Sequence, residues 1–287
     1  MKVIKGLIGL ICVVAALFAL HHFFFPSSGE IDKVKKEKKA FSGRMPQEKE
    51  TSRERFHRDR AALRAEKKIA IIIDDIGYQL GPVEELLKVE APIAFAILPY
   101  CPHSLAAAEI IHGAGREVLL HLPMEPLDPA IDPGQGALFR SMEVSEIKQR
   151  LASSLEAVPY VTGVNNHMGS AFMEDEAKLS VVLQMLAERG LFFIDSRTTP
   201  RSRAGVLAEK IKLRFGARRL FMDNDQDRQT IFNRLMSLGD KKDRDSLIVI
   251  GHPYRTTVGA LQDALPLLQA QGIAIVPPSE LVGISGQ

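Results

Sequence analysis

The sequence predicts an α/β protein: an irregular (β/α) barrel of seven or eight strands, preceded by an N-terminal membrane segment and a charged stalk. Two observations carry that expectation. Runs such as Ile69 to Ile73, Val118 to Leu120 and Leu247 to Ile250 are apolar with no polar alternation, which marks strands buried on both faces, as in a parallel sheet or barrel. From Ile69 onward, β-like and helical segments alternate seven or eight times in about 220 residues, a spacing that fits a barrel better than an open sheet.

Residues 1–25 read as a signal anchor or signal peptide. Lys2 and Lys5 precede an apolar stretch from Gly6 to Leu20, extended by Phe23, Phe24 and Phe25. That is just long enough to span a bilayer. No good small-x-small cleavage site follows, which favours an anchor, and the two lysines should stay in the cytoplasm so that the rest is exported to the periplasm. Residues 26–68 read as a charged flexible stalk. From Glu30 to Lys68 fourteen basic residues stand against eight acidic ones, with too few large apolar residues to build a core. A basic spacer of this kind can also lie on anionic lipid or polymer. Cys12 falls in the apolar stretch, leaving Cys101 without a partner in the exported part, so the fold is not disulfide-stapled. The net charge of +2 gives no argument for nucleic acid.

Residues 69–287 form the barrel domain. Strands are expected near 69–75, 93–98, 117–122, 161–165, 191–195, 219–222, 247–251 and 273–276. One helix is expected from Glu174 to Arg189. Acidic residues occupy its first turn, Arg189 its last, Gly190 follows as a stop, and Leu179, Val182, Leu183 and Leu186 give it one apolar face. Another is expected from Thr256 to Gln271, closed by Gly272.

Polar residues gather at the carboxyl ends of these strands, where (β/α) folds place their chemistry. Asp74-Asp75 ends the first strand. Two adjacent carboxylates repel unless a cation or a proton separates their roles, so one can bind a metal while the other takes a proton; capping the next helix is the competing use. His121 ends the third strand, with Glu125 four residues on in a proline-bearing loop. A His with an Asp and one further N or O donor makes a zinc set. Val164-Asn165-Asn166-His167-Met168-Gly169-Ser170 is small and polar after a β run. His167 could ligate metal, Asn166 could hydrogen-bond a sugar or an oxyanion, and Ser170 lies beside them; Gly169 permits close backbone approach. Asp195 ends a buried strand, placed to orient a neighbouring His or Arg, and Arg197 could hold an anionic substrate group. His252 ends a late strand and suits protonation of a leaving group.

The order Asp74-Asp75, His121-x-x-x-Glu125, Asn166-His167-x-Gly169-Ser170, Asp195 and Gly251-His252-Pro253 resembles the divergent polysaccharide deacetylases, a bacterial branch of the carbohydrate esterase superfamily. The resemblance covers about Lys68 to Leu281. It implies a barrel, commonly of seven strands, with a divalent metal, usually zinc, at its mouth. Carried over residue by residue, it makes Asp74 the base, Asp75 and His121 metal ligands, and His252 the acid. Two departures stand out. The second His of the family's ligand motif is Glu125 here, and Asn165 to Ser170 replace an expected Arg-Pro motif. The third ligand therefore lies between Glu125 and His167, with His167 preferred as a nitrogen donor at a strand end. The expected activity is metal-dependent removal of N-acetyl groups from an envelope polysaccharide or peptidoglycan fragment, by a protein held at the inner membrane. The alternative is an anchored glycan-binding protein that keeps the fold without turnover.

Overall fold

The computed structural model describes residues 67–240 and 245–284. The expected membrane segment and nearly all of the expected stalk lie outside these residues. Among the described residues no helix is long and apolar enough to cross a membrane.

Seven parallel strands close into a ring in chain order: β1 (Lys68–Ile76), β2 (Ala94–Ile97), β3 (Val118–Met124), β4 (Val161–Met168), β5 (Phe192–Asp195), β6 (Arg214–Phe221) and β7 (Leu247–Gly251). β1 makes the closure. It pairs with β7 from Ile69↔Leu247 to Ile73↔Gly251, and with β2 from Ile72↔Ala94. Because β2 is short and meets only the later part of β1, the first residues of β1 have room for an eighth strand, β8 (Ala274–Ile275), through Lys68↔Ala274. A two-residue β9 (Gly283–Ile284) runs antiparallel to the start of β6. Helices α1 (Gly81–Leu87), α2 (Ser104–Gly113), α3 (Val144–Ala157), α4 (Glu176–Glu188), α5 (Ala204–Lys210), α6 (Arg228–Ser237) and α7 (Arg255–Ala270) follow the strands in turn.

The unbroken apolar runs are explained by two cores. On β1, Ile69, Ile71 and Ile73 face the helices, while Ala70 and Ile72 face inward with Ala94, Ala96, Leu119, Phe192, Ile194, Ile248 and Ile250. Alternate side chains of a strand take opposite faces, so both parities must be apolar, and no polar alternation can appear.

Three departures from the expected boundaries have a visible physical cause. The expected helix from Glu174 begins at Glu176, because Asp175 serves as its N-cap and accepts from the Lys178 amide at 3.0 Å. β6 begins at Arg214, five residues before the expected strand. Arg214, Arg218 and Arg219 hide it in the sequence, yet Arg214 lies over the Phe192 ring and Arg218 over the Phe221 ring at 3.7 Å, where long stems cover apolar surface. The contacts of the barrel reach back past Ile69 to Lys67. That residue is buried, its carbonyl accepts from the Ala274 amide at 3.1 Å, and Lys68 is already in β1 with its ammonium on Glu280.

Candidate metal centre and active site

Inward parity at the carboxyl ends of the strands brings the polar residues together. Asp74 continues the inward series Ala70, Ile72. His121 continues Leu119 on β3, and His252 follows Ile248 and Ile250 just beyond β7. Asp75 has the opposite parity and would face the helices, but its backbone turns into the left-handed region (φ 57°). That turn swings the second carboxylate to the mouth. A non-glycine residue held there is uncommon and costs energy, a pattern typical of functional positions.

Three donor atoms converge. Asp75 Oδ1 lies 3.2 Å from His121 Nε2 and 3.0 Å from His167 Nδ1, and the two ring nitrogens are 3.0 Å apart. Tetrahedral zinc with bonds of 2.0–2.1 Å separates its ligand atoms by about 3.3–3.4 Å, close to this triangle. Asp75 Oδ1 is buried, and no hydrogen bond is aligned on it. A buried carboxylate oxygen in that state calls for a cation. The Asp75, His121 and His167 side chains can hold a metal ion.

The surrounding hydrogen bonds fix the ligands' orientation. Asn165 donates through Nδ2 to Asp74 Oδ1 at 2.7 Å, which leaves its Oδ1 to face His121 Nδ1 at 2.8 Å. With a metal bound, His121 would keep a proton on Nδ1 for Asn165 and turn the Nε2 lone pair to the triangle, the arrangement that orients metal-binding histidines. On the opposite side, Asp223 accepts from the His252 amide at 2.6 Å, from the Thr257 hydroxyl at 2.8 Å and, at 2.9 Å, from His252 Nδ1. His252 Nε2 is thereby aimed inward, 4.0 Å from Asp75 Oδ2.

The charges follow from these contacts. Burial pushes the Asp74 carboxyl above the usual carboxylate range, against the opposing effects of His121 and Asn165. Burial acts the same way on Asp75, but the His121 and His167 nitrogens overcome it and hold that carboxyl well below the range. The His121 imidazole is desolvated, yet Asp74 and Asp75 raise its pKa to about 9. Without a metal, the proton on His121 is the positive charge between the two carboxylates. His252 is also raised, the Asp223 contact prevailing over burial. The two neighbouring carboxyls are thus driven apart, Asp75 held anionic and Asp74 shifted toward taking a proton.

Other expected site residues have different positions. Glu125 is outside the triangle: its carboxylate accepts from the Arg140 amide at 2.6 Å and guanidinium at 3.0 Å, which ties down the loop between β3 and α3. Asn166 is buried, and its amide is occupied by the Met168 carbonyl, the Thr198 hydroxyl and the Ser196 amide, so it joins the ends of β4 and β5 instead of facing a sugar. Ser170 accepts from the Leu127 amide at 2.9 Å, and Gly169, at φ 86°, makes room for Met124. Asp195 shares the helix-facing parity of Phe193 and receives the Arg197 amide at 2.7 Å; the carboxylate that orients a histidine is Asp223. Arg197 is exposed, and its carbonyl accepts from Arg218 at 3.0 Å. Asp223 was legible in principle, since it follows the expected strand 219–222 as Asp74 ends the first. Asn165 had a weaker signal, a polar residue with the inward parity of His167.

A seven-stranded (β/α) barrel with an Asp-His-His cluster at its mouth fits what the resemblance to the polysaccharide deacetylases implies. The sequence profile of the divergent polysaccharide deacetylases matches residues 71–282, and the chain belongs to that family. It is 35% identical to the uncharacterized protein YibQ of Escherichia coli K12 over 218 residues, 75% of this chain and 67% of that one. Among solved structures, the uncharacterized protein ATU2773 from Agrobacterium tumefaciens C58 superposes with a TM-score of 0.71 at 21% identity, over 77% of this chain and 94% of that one. A family 4 carbohydrate esterase from Streptomyces lividans, solved with acetate, gives 0.51 at 11% identity, over 77% and 98%. At these identities the two structures speak for the fold alone.

Proposed function

We propose that the protein is a metal-dependent hydrolase that removes N-acetyl groups from a cell-envelope polysaccharide or peptidoglycan fragment. The observation that carries this reading is the convergence of Asp75, His121 and His167 on one point, with Asp74 and His252 on either side of it. Two imidazoles and a carboxylate suit zinc. A divalent cation bound there supplies Lewis-acid polarisation of the acetyl carbonyl.

The chain's own residues do the proton work. Asn165 occupies Asp74 Oδ1 and leaves Oδ2, 3.7 Å from His121 Nε2, to accept a proton from the attacking water. Burial raises its pKa, which favours its holding that proton. His252, held through Nδ1 by Asp223, presents Nε2 to the departing amine and donates to it. The Asp223 contact raises the pKa of this imidazole, which favours its charged, donating form.

Acetate release from N-acetylated chitooligosaccharide or peptidoglycan fragments tests the reading. Asp74→Asn keeps the size and the Asn165 contact but cannot take the proton, so it should retain metal and fold while losing about 10²–10⁴-fold in rate. Equal release by wild type and Asp74→Asn would mean a misplaced base. No release from either, with glycan affinity kept, would make this a binding member of the family.

A further inference from the structure

Thr257, the third residue of α7, is fully buried. A threonine in a helix can give its hydroxyl to a carbonyl of the preceding turn. Here the hydroxyl leaves its own helix and donates to Asp223 Oδ2 at 2.8 Å. The Asp223 side chain has no exposed surface. Among the described residues no Lys or Arg pairs with it, so its lone pairs depend on hydrogen bonds.

Three such bonds reach the carboxylate, and they are not equivalent. Two come from the histidine that it orients, the His252 amide on Oδ2 at 2.6 Å and ring Nδ1 on Oδ1 at 2.9 Å. Neither can hold the carboxylate against a joint swing with that histidine. Thr257 supplies the third, and among these bonds it alone ties Asp223 to another element, α7. The ring contacts of His252 leave the same freedom. Phe221 and Tyr254 lie 5.7 and 5.6 Å from it between centroids, inclined at 27° and 34°. Neighbours at such angles restrain tilt of the imidazole more than rotation within its own plane. The direction of Nε2 in that plane is set by the bond between Nδ1 and Asp223, and so by whatever fixes Asp223.

We infer that Thr257 is a positioning residue for the acid: through Asp223 it fixes the angle at which His252 Nε2 meets the departing amine. In that step the Nε2–H bond breaks, the proton passes to the nitrogen as its bond to the acetyl carbon breaks, and the Nδ1 proton stays with Asp223. A misplacement of about 1 Å can cost about 10²-fold in rate. The Thr257 hydroxyl bonds to no metal ligand and not to Asp74, so its loss acts on proton donation and spares the metal centre. The inference rests on the deacetylase reading for the reaction; the orientation of the imidazole can be judged without turnover.

The test uses the full-length, zinc-loaded protein. Thr257→Val removes the hydroxyl and keeps the shape, and Thr257→Ser keeps the hydroxyl. Two substrates isolate the step: N-acetylated chitotetraose releases an amine that must be protonated, whereas p-nitrophenyl acetate releases an anion that needs no proton. Thr257→Val should lower kcat for chitotetraose by about 10–100-fold with KM nearly unchanged. On p-nitrophenyl acetate it should lose less than about twofold, and it should keep its zinc. Thr257→Ser should recover most of the loss. Equal losses on both substrates, loss of zinc, no rescue by serine, or no loss at all overturns the inference. Proton–nitrogen NMR of isotope-labelled protein follows the His252 Nδ1 proton, identified by its absence in His252→Ala. Its exchange with water should be about tenfold faster in Thr257→Val than in wild type, and near wild type in Thr257→Ser. An unchanged exchange rate refutes the inference whatever the kinetics show. If wild type releases no acetate, the deacetylase reading fails, and faster exchange in Thr257→Val still supports the positioning of His252.

Discussion

Asn165 serves two groups of the proposed site with one amide, donating to Asp74 and accepting from His121. Its removal should therefore weaken both. Asn165→Ala is expected to lower zinc affinity or activity about 10–100-fold, as loss of a ligand's hydrogen-bond partner does elsewhere; competition with a chelator of known affinity measures it. Single substitution of Asp75, His121 or His167 by alanine should abolish stoichiometric zinc in elemental analysis, while Glu125→Ala, cut from the Arg140 clamp, should keep it. Full occupancy after loss of any of the three, or loss of metal with Glu125, would refute the assignment. Asp223 predicts a pH effect. Its carboxylate raises the pKa of His252, so the acid stays protonated to higher pH in wild type. Asp223→Asn removes that support, and the alkaline limb of the pH–rate profile should move to lower pH. A limb that stays in place would show that another group is the acid.

The loops between elements decide the shape of the mouth. The turn after β1 depends on Gly77, at φ 133°, where a Cβ would stand 2.8 Å from Cys101 Cβ and 3.0 Å from Ser104 Oγ. An L-residue meets both a forbidden backbone region and the start of the next loop. Gly77→Ala should cost roughly 1–3 kcal/mol, read as a lower melting temperature. A melting temperature equal to wild type would show that the turn relaxes freely. The clamp between Glu125 and Arg140 is more exposed. Solvent screens such a pair, so breaking it should change global stability by less than about 1 kcal/mol.

At the scale of the molecule, closure of the ring depends on where the chain is cut. The Ala274 and Val276 amides donate to the carbonyls of Lys67 and Ile69. A chain starting at Lys67 should melt like the full-length protein. One starting at Ala70 leaves both donors unpaired, at roughly 1–3 kcal/mol for each that water cannot reach. Equal melting temperatures for the two would show that β8 does not need β1's first residues. For residues 1–25 the expectation is export, with the barrel outside the inner membrane; a C-terminal reporter active only in the cytoplasm would contradict it.

The sequence by itself determined the barrel and marked four titratable residues at the ends of its strands. Strands buried on both faces must be apolar at both parities, so Ile69 to Ile73 and Leu247 to Ile250 were readable directly. Asp74, Asp75, His121 and His252 interrupt or end such runs, and a charged or titratable group in that place is visible without coordinates. β6 was read short because its arginine stems bury apolar carbons under a charged code. What only the tertiary structure decided was partnership. Glu125 is four residues from His121 in the chain, but a proline-bearing strand end and Arg140 carry it away. His167 is 46 residues distant, yet the β3–β4 register sets Asn165 beside His121 and His167 beside Pro123, so two inward side chains of β4 reach His121. Asp223 finds His252 in the same way across β6 and β7. Which strand lies beside which, and in what register, is fixed by closing the ring and filling its interior. A local pattern of residues holds no record of that through-space choice.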